Sequence, residues 1–431
     1  MKNLNNRLVL LSLVLMVSGM AYAQQPALQF FRPNNAKGLN VYETSKADTV
    51  PFEGIKVRIG GDFAMQFQSL NHSNDLDNLV DLGSDFNLPN ANLNLDVQLL
   101  DGVRMHLRTF LSSRHHNETW IKGGHLQIDK LDFIKPGFLE GIMEFTTLRV
   151  GLDEFNYGDA HFRRSDNARA IFNPFVENYL MDAFSTEAFG EVTIQKSGLL
   201  AVIGVSNGKL NQNVVQTATT NNKPSFFGKV GIDKQMQEDL RVRLTGSWYI
   251  NHGTSTGSYL YGGDRAGSRY YNVLRTLPDA NGVVEGTNFD GRFNSRFTKL
   301  TALQVNPFIK FKGLELFGVY EVANGNAQFT EPVTDEEGSF TQIAGELVYR
   351  FGADEKFYIA GRYNTISGKM RESATLTQDI NRLNIGGGWY LSKNILTKVE
   401  FVKQSYDGAA WTGRFAGAEF SGVNIEAVIG F

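Results

Sequence analysis

The side chains that could do chemistry in this chain are charged residues that recur at every second position. Arg104, His106 and Arg108 alternate with methionine and leucine, and Arg241 and Arg243 flank a valine. Because side chains two residues apart lie on the same face of an extended strand, these charges predict polar walls along strands. The predicted basic wall consists of Arg104, Arg108, Arg149, Arg241 and Arg243. The predicted acidic wall consists of Glu315, Glu321, Glu346, Glu400 and Glu426.

Two opposed walls of charge would set a transverse field across a pore and would select ions by sign. From the arginine-rich wall we expect a weak preference for anions. The alternative is that these charges pair across neighbouring strands or contact water, which would leave little selectivity.

A second set of charges lies in the stretch 153–185, which is rich in phenylalanine, asparagine and tyrosine. Aromatic side chains in such number need a surface to pack against, so we expect an ordered segment that folds into a barrel lumen and narrows it. The alternative is an external loop that packs on its neighbours or on a trimer interface. The candidate constriction residues are Asp159, Arg163, Arg164, Asp166 and Arg169.

Enzyme and metal chemistry have little support in the sequence. The chain has no cysteine, which excludes zinc thiolates, iron–sulfur clusters, a cysteine nucleophile and a lipoprotein anchor. His115, His116 and Glu118 could hold a metal if His125 came close, but a solvated turn is the simpler interpretation. We therefore predict no catalytic residue, no metal and no cofactor. The 42 basic and 45 acidic residues also disfavour nucleic acid as a partner.

Alternation of apolar and polar residues continues along most of the chain in segments of about ten residues, which is typical of a transmembrane β-barrel. The connections alternate between short turns and long loops, so every second connection reaches the same side. The pattern predicts an all-β fold, namely a transmembrane antiparallel up-and-down β-barrel of sixteen strands with an inward-folded constriction loop. The soluble alternative is a secreted β-sandwich or jelly roll. The predicted strands are 55–69, 90–99, 102–112, 119–129, 142–152, 186–196, 198–207, 225–233, 240–250, 298–311, 314–323, 340–351, 356–366, 380–391, 395–405 and 419–431.

Three further expectations depend on this barrel. Sixteen strands in one ring should enclose an open lumen rather than a packed core. The long connection 251–297 should be exposed on the outer surface. The segment 130–141 is longer than a connection on the short-turn side should be, and the segment 113–118 is shorter than the other long connections, so one of the strand assignments beside these two segments is expected to be misplaced.

The start of the chain predicts export. Residues 1–23 have a positively charged beginning, an apolar run and an Ala-Tyr-Ala cleavage site, which together indicate a signal peptide. Residues 24–54 show little alternation and are predicted to form a periplasmic N-terminal segment, folded against the inner mouth of the barrel. Residues 55–431 are predicted to form the barrel, which places the protein in the bacterial outer membrane.

Two features resemble known proteins. The alternating chain end, which finishes at Phe431, resembles the C-terminal signal that the barrel assembly machinery of the outer membrane reads. Several short runs resemble the porin family of Bacteroidota outer membranes, which is distantly similar to the phosphate-selective porin O and P group. These runs are Gln29 to Asn34, Asp48 to Phe52, Gly60 to Ala64, Gly158 to Asp166 and Asn173 to Tyr179.

The resemblance implies a homotrimeric, sixteen-stranded diffusion channel that lies among outer-membrane lipids and passes small hydrophilic solutes or anions. It does not imply phosphate, because selectivity in that group rests on rows of lumen arginines and lysines. The alternative function is a closed outer-membrane barrel that acts in surface binding or adhesion through its long loops.

Overall fold

The computed structural model describes residues 25–431 except 49, 112–119, 166–168, 210–213, 215, 217–221, 254–258, 263–266, 287–290 and 327–334. The predicted signal peptide, Asp166 and the histidine pair of 115 and 116 lie outside the described residues. The strands are β1 (Lys56–Ser73), β2 (Asp85–Leu100), β3 (Val103–Leu111), β4 (Trp120–Ile128), β5 (Thr146–Glu154), β6 (Thr186–Lys196), β7 (Leu199–Ser206), β8 (Ser225–Gln237), β9 (Leu240–His252), β10 (Lys299–Phe311), β11 (Leu314–Asn326), β12 (Gly338–Phe351), β13 (Phe357–Lys369), β14 (Gln378–Ser392), β15 (Ile395–Asp407) and β16 (Glu419–Gly430).

The sixteen strands form one closed barrel in which each strand is antiparallel to its two neighbours. The ring closes where β1 pairs with β16, from Asp62 opposite Gly430 to Ser73 opposite Glu419. Closure gives every strand a hydrogen-bonded neighbour on both sides, so the ring has no free sheet edge. The predicted fold class and strand number are therefore confirmed.

The alternation in the sequence becomes two chemically different faces. On β14, Leu383 and Ile385 lie on the exposed outer face, whereas Arg382 and Asn384 are buried on the inner face. Period-two side-chain placement produces this separation in a barrel. Among the described residues, no helix is long and apolar enough to cross a membrane.

The connections differ in length between the two ends of the barrel. At one end, which we call the short-turn end, pairs of strands are joined by 101–102, 197–198, 238–239, 312–313, 352–356 and 393–394. Gly102 shows why such turns need glycine: its φ is +70°, and a Cβ there would lie 2.5 Å from the Lys130 side chain.

One connection at the short-turn end is long. β5 begins at Thr146, not at 142 as predicted, and residues 129–145 contain the short helix α1 (Glu140–Met143). A helical turn takes the place of the first residues predicted for β5. The connection between β4 and β5 is therefore longer than the other turns at the short-turn end.

Long connections pack against the inner wall, so the barrel interior is more crowded than the open lumen that was expected of sixteen strands. One buried apolar cluster joins inward side chains of the strands, such as Phe227 and Phe340, to residues of two long connections, such as Val176 and Phe293. The connection predicted as 251–297, which the structure places at 253–298, was expected on the surface, yet its Tyr270 is fully buried. Burial inside the barrel removes the apolar surface of these aromatic side chains from water, which stabilises the inward position of the connection.

Candidate functional site

The inward connection, residues 155–185, leaves β5 and runs inside the barrel to the opposite wall. The backbone N–H of Val176 donates to the Glu400 carboxylate on β15 at 2.8 Å. The N–H of Leu180 donates to Asn364 Oδ1 on β13 at 2.7 Å. These bonds explain how a loop can cross the interior, because wall side chains satisfy its backbone groups.

Asp159 of the inward connection sits against two buried cations of the wall. Its carboxylate lies 2.8 Å from Lys229 Nζ on β8 and 2.8 Å from Arg243 Nε on β9. The Thr245 hydroxyl donates to the same carboxylate at 2.8 Å, and Asn306 Oδ1 accepts from the Asp159 N–H at 2.8 Å. Burial would raise the pKa of Asp159, but Arg243 and Lys229 hold it well below its usual range.

Arg163 and Arg164, two arginines of the candidate constriction, each pair with a carboxylate. Arg163 crosses to β12, where its Nη2 lies 2.5 Å from Glu346, and its Nη1 donates to Asn40 Oδ1 at 2.9 Å. Arg164 stays within the connection and pairs with Asp182 through two bonds of 2.8 Å. Arg163 therefore joins the connection to the wall, whereas Arg164 holds the connection to itself.

The Arg169 side chain contacts residues at the start of the inward connection. Its Nη1 lies 3.1 Å from Glu154, the last residue of β5, and donates to the His161 carbonyl at 2.9 Å. Burial lowers the pKa of His161 to about 3, so this ring is neutral at pH 7.

The predicted basic wall lies on the inner face, and its arginines are paired with carboxylates. Arg241 on β9 binds both oxygens of Asp233 at 2.7–2.8 Å. The other pairs on the first strands are Arg104 with Asp96 at 3.0 Å, Arg108 with Asp153 at 3.3 Å and Arg149 with Glu191 at 2.8 Å.

The wall of the later strands contains both signs of charge. Besides the five predicted glutamates it carries buried cations that the sequence analysis did not select. The pairs are Glu315 with Arg350 at 2.9 Å, Glu346 with Arg362 at 2.7 Å and Glu426 with Lys398 at 2.8 Å. Cross-strand pairing, the alternative reading of these charges, is thus extensive on this wall.

Two of the predicted acidic residues contact tyrosines instead of cations. The hydroxyls of Tyr157 and Tyr261 donate to Glu321 at 2.9 Å and 2.8 Å. The Tyr270 hydroxyl donates to Glu400 at 2.6 Å. Both wall carboxylates therefore hold the inward connection or the connection 253–298 in place.

The N-terminal segment, residues 25–55, crosses the short-turn end of the barrel from one wall to the other. Gln29 donates to Asp101 at the β2–β3 turn at 2.9 Å, and the Ala36 N–H donates to the Lys393 carbonyl at the β14–β15 turn at 2.7 Å. Lys46 binds Asp129 at 2.9 Å. This segment therefore lies across the opening.

A cavity of about 160 Å³ lies between the N-terminal segment, the inward connection and the first strands. Both signs of charge line it, including Arg32, Glu43, Asp96, Arg104, Arg149, Arg169 and Glu191. A second cavity of about 780 Å³ opens at the short-turn rim among the side chains of Lys37, Arg241, Lys310, Lys312 and Glu355. Charged side chains therefore line both cavities.

No protein-family model matches the chain, and no curated protein matches its sequence. Solved structures do match its shape. The outer membrane channel DcaP of Acinetobacter baumannii is 11% identical with a TM-score of 0.53, over 89% of this chain and 99% of that one. The anion-selective porin from Comamonas acidovorans is 11% identical with a TM-score of 0.52, over 88% and 100%. A trimeric form of OmpT from Vibrio cholerae is 9% identical with a TM-score of 0.52, over 88% and 100%.

The chain has a porin-like fold. At this level of identity the likeness extends to the fold alone.

The residues of this porin-like barrel that sequence reasoning missed share a detectable signal. Lys229, Arg350, Arg362 and Lys398 lie on the inner face at the same two-residue spacing that selected the glutamates. Glu43 carried no such signal, because it precedes the first strand.

Proposed function

We propose that this chain is a bacterial outer-membrane porin through which small hydrophilic solutes or ions diffuse passively, with a weak preference for anions. The observation that carries the proposal is the inward connection, which crosses a sixteen-strand barrel and meets charged side chains of the wall. A loop of this kind narrows a pore and places charge along it.

The proposal includes the setting of the protein. The signal peptide directs export, the short-turn end faces the periplasm, and the apolar outer face lies among outer-membrane lipids. The chain is inserted by the barrel assembly machinery, assembles as a homotrimer and belongs with the Bacteroidota porins that resemble the phosphate-selective group. Transport rather than catalysis is its activity.

Conductance in planar bilayers tests the proposed function. Purified protein should insert and give steady current steps, and a salt gradient should give a reversal potential with a weak anion preference. Replacing Arg163, Arg164 and Arg169 together by alanine removes three positive charges, so the preference should move toward cations. Lys403→Ala, on the exposed end of β15, is the control and should behave like the wild type.

Insertion without current steps would contradict the porin proposal. It would favour the second candidate, a closed barrel that binds other surfaces through its long loops. The packing of Tyr270, Val273 and Phe293 inside the barrel supports that candidate.

A further inference from the structure

The N-terminal segment contributes a carboxylate to the charged cluster at the inward connection. Glu43 Oε2 lies 2.8 Å from Arg243 Nη1 on β9, and Glu43 Oε1 lies 3.3 Å from Lys229 Nζ on β8. Asn156 of the inward connection donates to Glu43 Oε1 at 2.9 Å. The neighbouring Tyr42 ring lies 4.2 Å from the Arg243 guanidinium. A residue that precedes the first strand thus reaches the interior and is fixed there.

The same two cations are also held by Asp159, so two carboxylates from two different segments share them. Lys229 is fully buried and Arg243 is 2% exposed. With the adjoining Arg241–Asp233 pair, the cluster contains three cations and three carboxylates. Glu43 is the only member that comes from the N-terminal segment, and without it the cluster has one positive charge in excess.

An excess charge here would act on passing ions. Glu43 lines the cavity of about 160 Å³ together with Arg104 and Arg149 of the basic wall. Charges in a partly desolvated interior are screened much less than charges in bulk water, so one charge affects the local potential strongly.

We propose that Glu43 is a selectivity-determining residue, which offsets Lys229 and Arg243 and so limits the anion preference of the pore. The inference rests on the proposed channel function. It assigns part of the ion selectivity to a segment outside the barrel strands.

Replacement of Glu43 by glutamine tests the inference, because the amide keeps the size and the hydrogen-bonding capacity while removing the charge. We expect the chloride-to-potassium permeability ratio of Glu43→Gln to rise by about two-fold or more. The matched control is Glu53→Gln in the same segment, where the side chain is 66% exposed and pairs with Lys56. The control should keep the wild-type ratio.

A cysteine at position 43 gives a second measurement on one folded protein, because the chain contains no other cysteine. In Glu43→Cys, a negatively charged methanethiosulfonate reagent should lower the ratio toward that of the wild type. A positively charged reagent should raise it further. Mass spectrometry would verify that the thiol was modified.

The outcomes separate the inference from the function on which it rests. Current steps with the same ratio in wild type and Glu43→Gln would overturn the inference alone, as would modified cysteine with no change in ratio. A cysteine that neither reagent reaches would show that position 43 does not face the path, which also overturns it. Wild-type protein that gives no steps would overturn the proposed function and this inference together.

Discussion

Buried ionisable side chains of the inward connection and the N-terminal segment make the folded state sensitive to acid. Burial lowers the pKa of His161 to about 3, from the 6.5 of an ordinary imidazole. Burial would raise the pKa of Glu43, but Arg243 and Lys229 lower it to about 2, against 4.5. In both cases the unfolded chain takes up the proton at a higher pH than the folded protein does.

Stability should therefore fall as the pH decreases. The contribution of His161 is present above about pH 6.5 and is lost as the pH falls toward 3, whereas that of Glu43 is lost only from about pH 4.5 downward. Urea unfolding followed between pH 7 and 5 should show a shallower decline in His161→Gln than in the wild type. The control is His252→Gln at the exposed end of β9, which should keep the wild-type slope. Equal slopes in all three proteins would contradict the assignment to His161.

At the scale of the element, a glycine on β14 lets a neighbouring ring lie flat against the strand. A Cβ at Gly388 would lie 2.4 Å from Tyr358 Cε1 on β13, and Tyr358 donates its hydroxyl to the Pro174 carbonyl of the inward connection at 2.9 Å. The glycine therefore positions an inner-wall tyrosine that supports the connection.

Gly388→Ala should destabilise the barrel by about 1–3 kcal/mol, because the added methyl group displaces the buried ring. Urea unfolding would measure the change in the free energy of unfolding. Gly361→Ala on β13 is the matched control, since a Cβ there meets nothing within 4 Å. If both variants lost the same stability, close packing of the Tyr358 ring would not be the cause.

The position of the connection 253–298 inside the barrel should affect the conductance of ions. Its Arg269 and Tyr271 carbonyls accept bonds from Gln66 and Gln68 on β1, at 2.9 Å each. Arg292 binds Glu177 of the inward connection at 2.7 Å. These bonds hold the connection across the interior.

Replacing residues 267–293 with a short Gly-Ser linker should raise single-channel conductance by about two-fold or more, because it removes side chains from the path of ions. Shortening the connection 370–377, which joins β13 and β14, is the control and should change conductance little. Unchanged conductance in the first deletion would show that the connection 253–298 does not limit flow.

For the whole molecule, closure of the ring depends on the chain end. The Phe431 N–H donates to the Gly61 carbonyl at 3.2 Å, and the Gly61 N–H donates to the Phe431 carbonyl at 3.1 Å. The role of Phe431 in barrel insertion remains a prediction from the C-terminal pattern. Its ring also lies against Gly61, where a Cβ would be 3.3 Å from Phe431 Cζ.

Deletion of Phe431 should reduce the amount of assembled barrel in the outer membrane, because it removes both the last pair of closing bonds and the terminal aromatic residue. The measurement is the fraction of heat-modifiable protein in membrane extracts. Phe431→Tyr keeps the aromatic end and should assemble like the wild type. Full assembly of the deletion variant would contradict the predicted role.

The sequence by itself determined the barrel. Period-two alternation and the contrast between short and long connections were enough to predict sixteen strands. One face of a membrane strand contacts lipid and the other contacts the lumen, so the polarity of each residue indicates the face on which it lies. The inner-face glutamates and arginines followed from the same parity. The start of β5 was misplaced because a helical turn at Glu140–Met143 has apolar residues that local pattern cannot distinguish from a strand.

Only the tertiary structure decided what fills the barrel. Glu43 and Asp159 are 116 positions apart in the chain and contact the same two cations, and no local pattern relates them. From sequence alone the aromatic residues of 253–298 were expected on the outer surface, whereas the structure buries several of them, such as Tyr270, inside the barrel. Strand alternation depends on neighbours two residues away, whereas the path of a loop depends on wall residues that are brought together only when the ring closes.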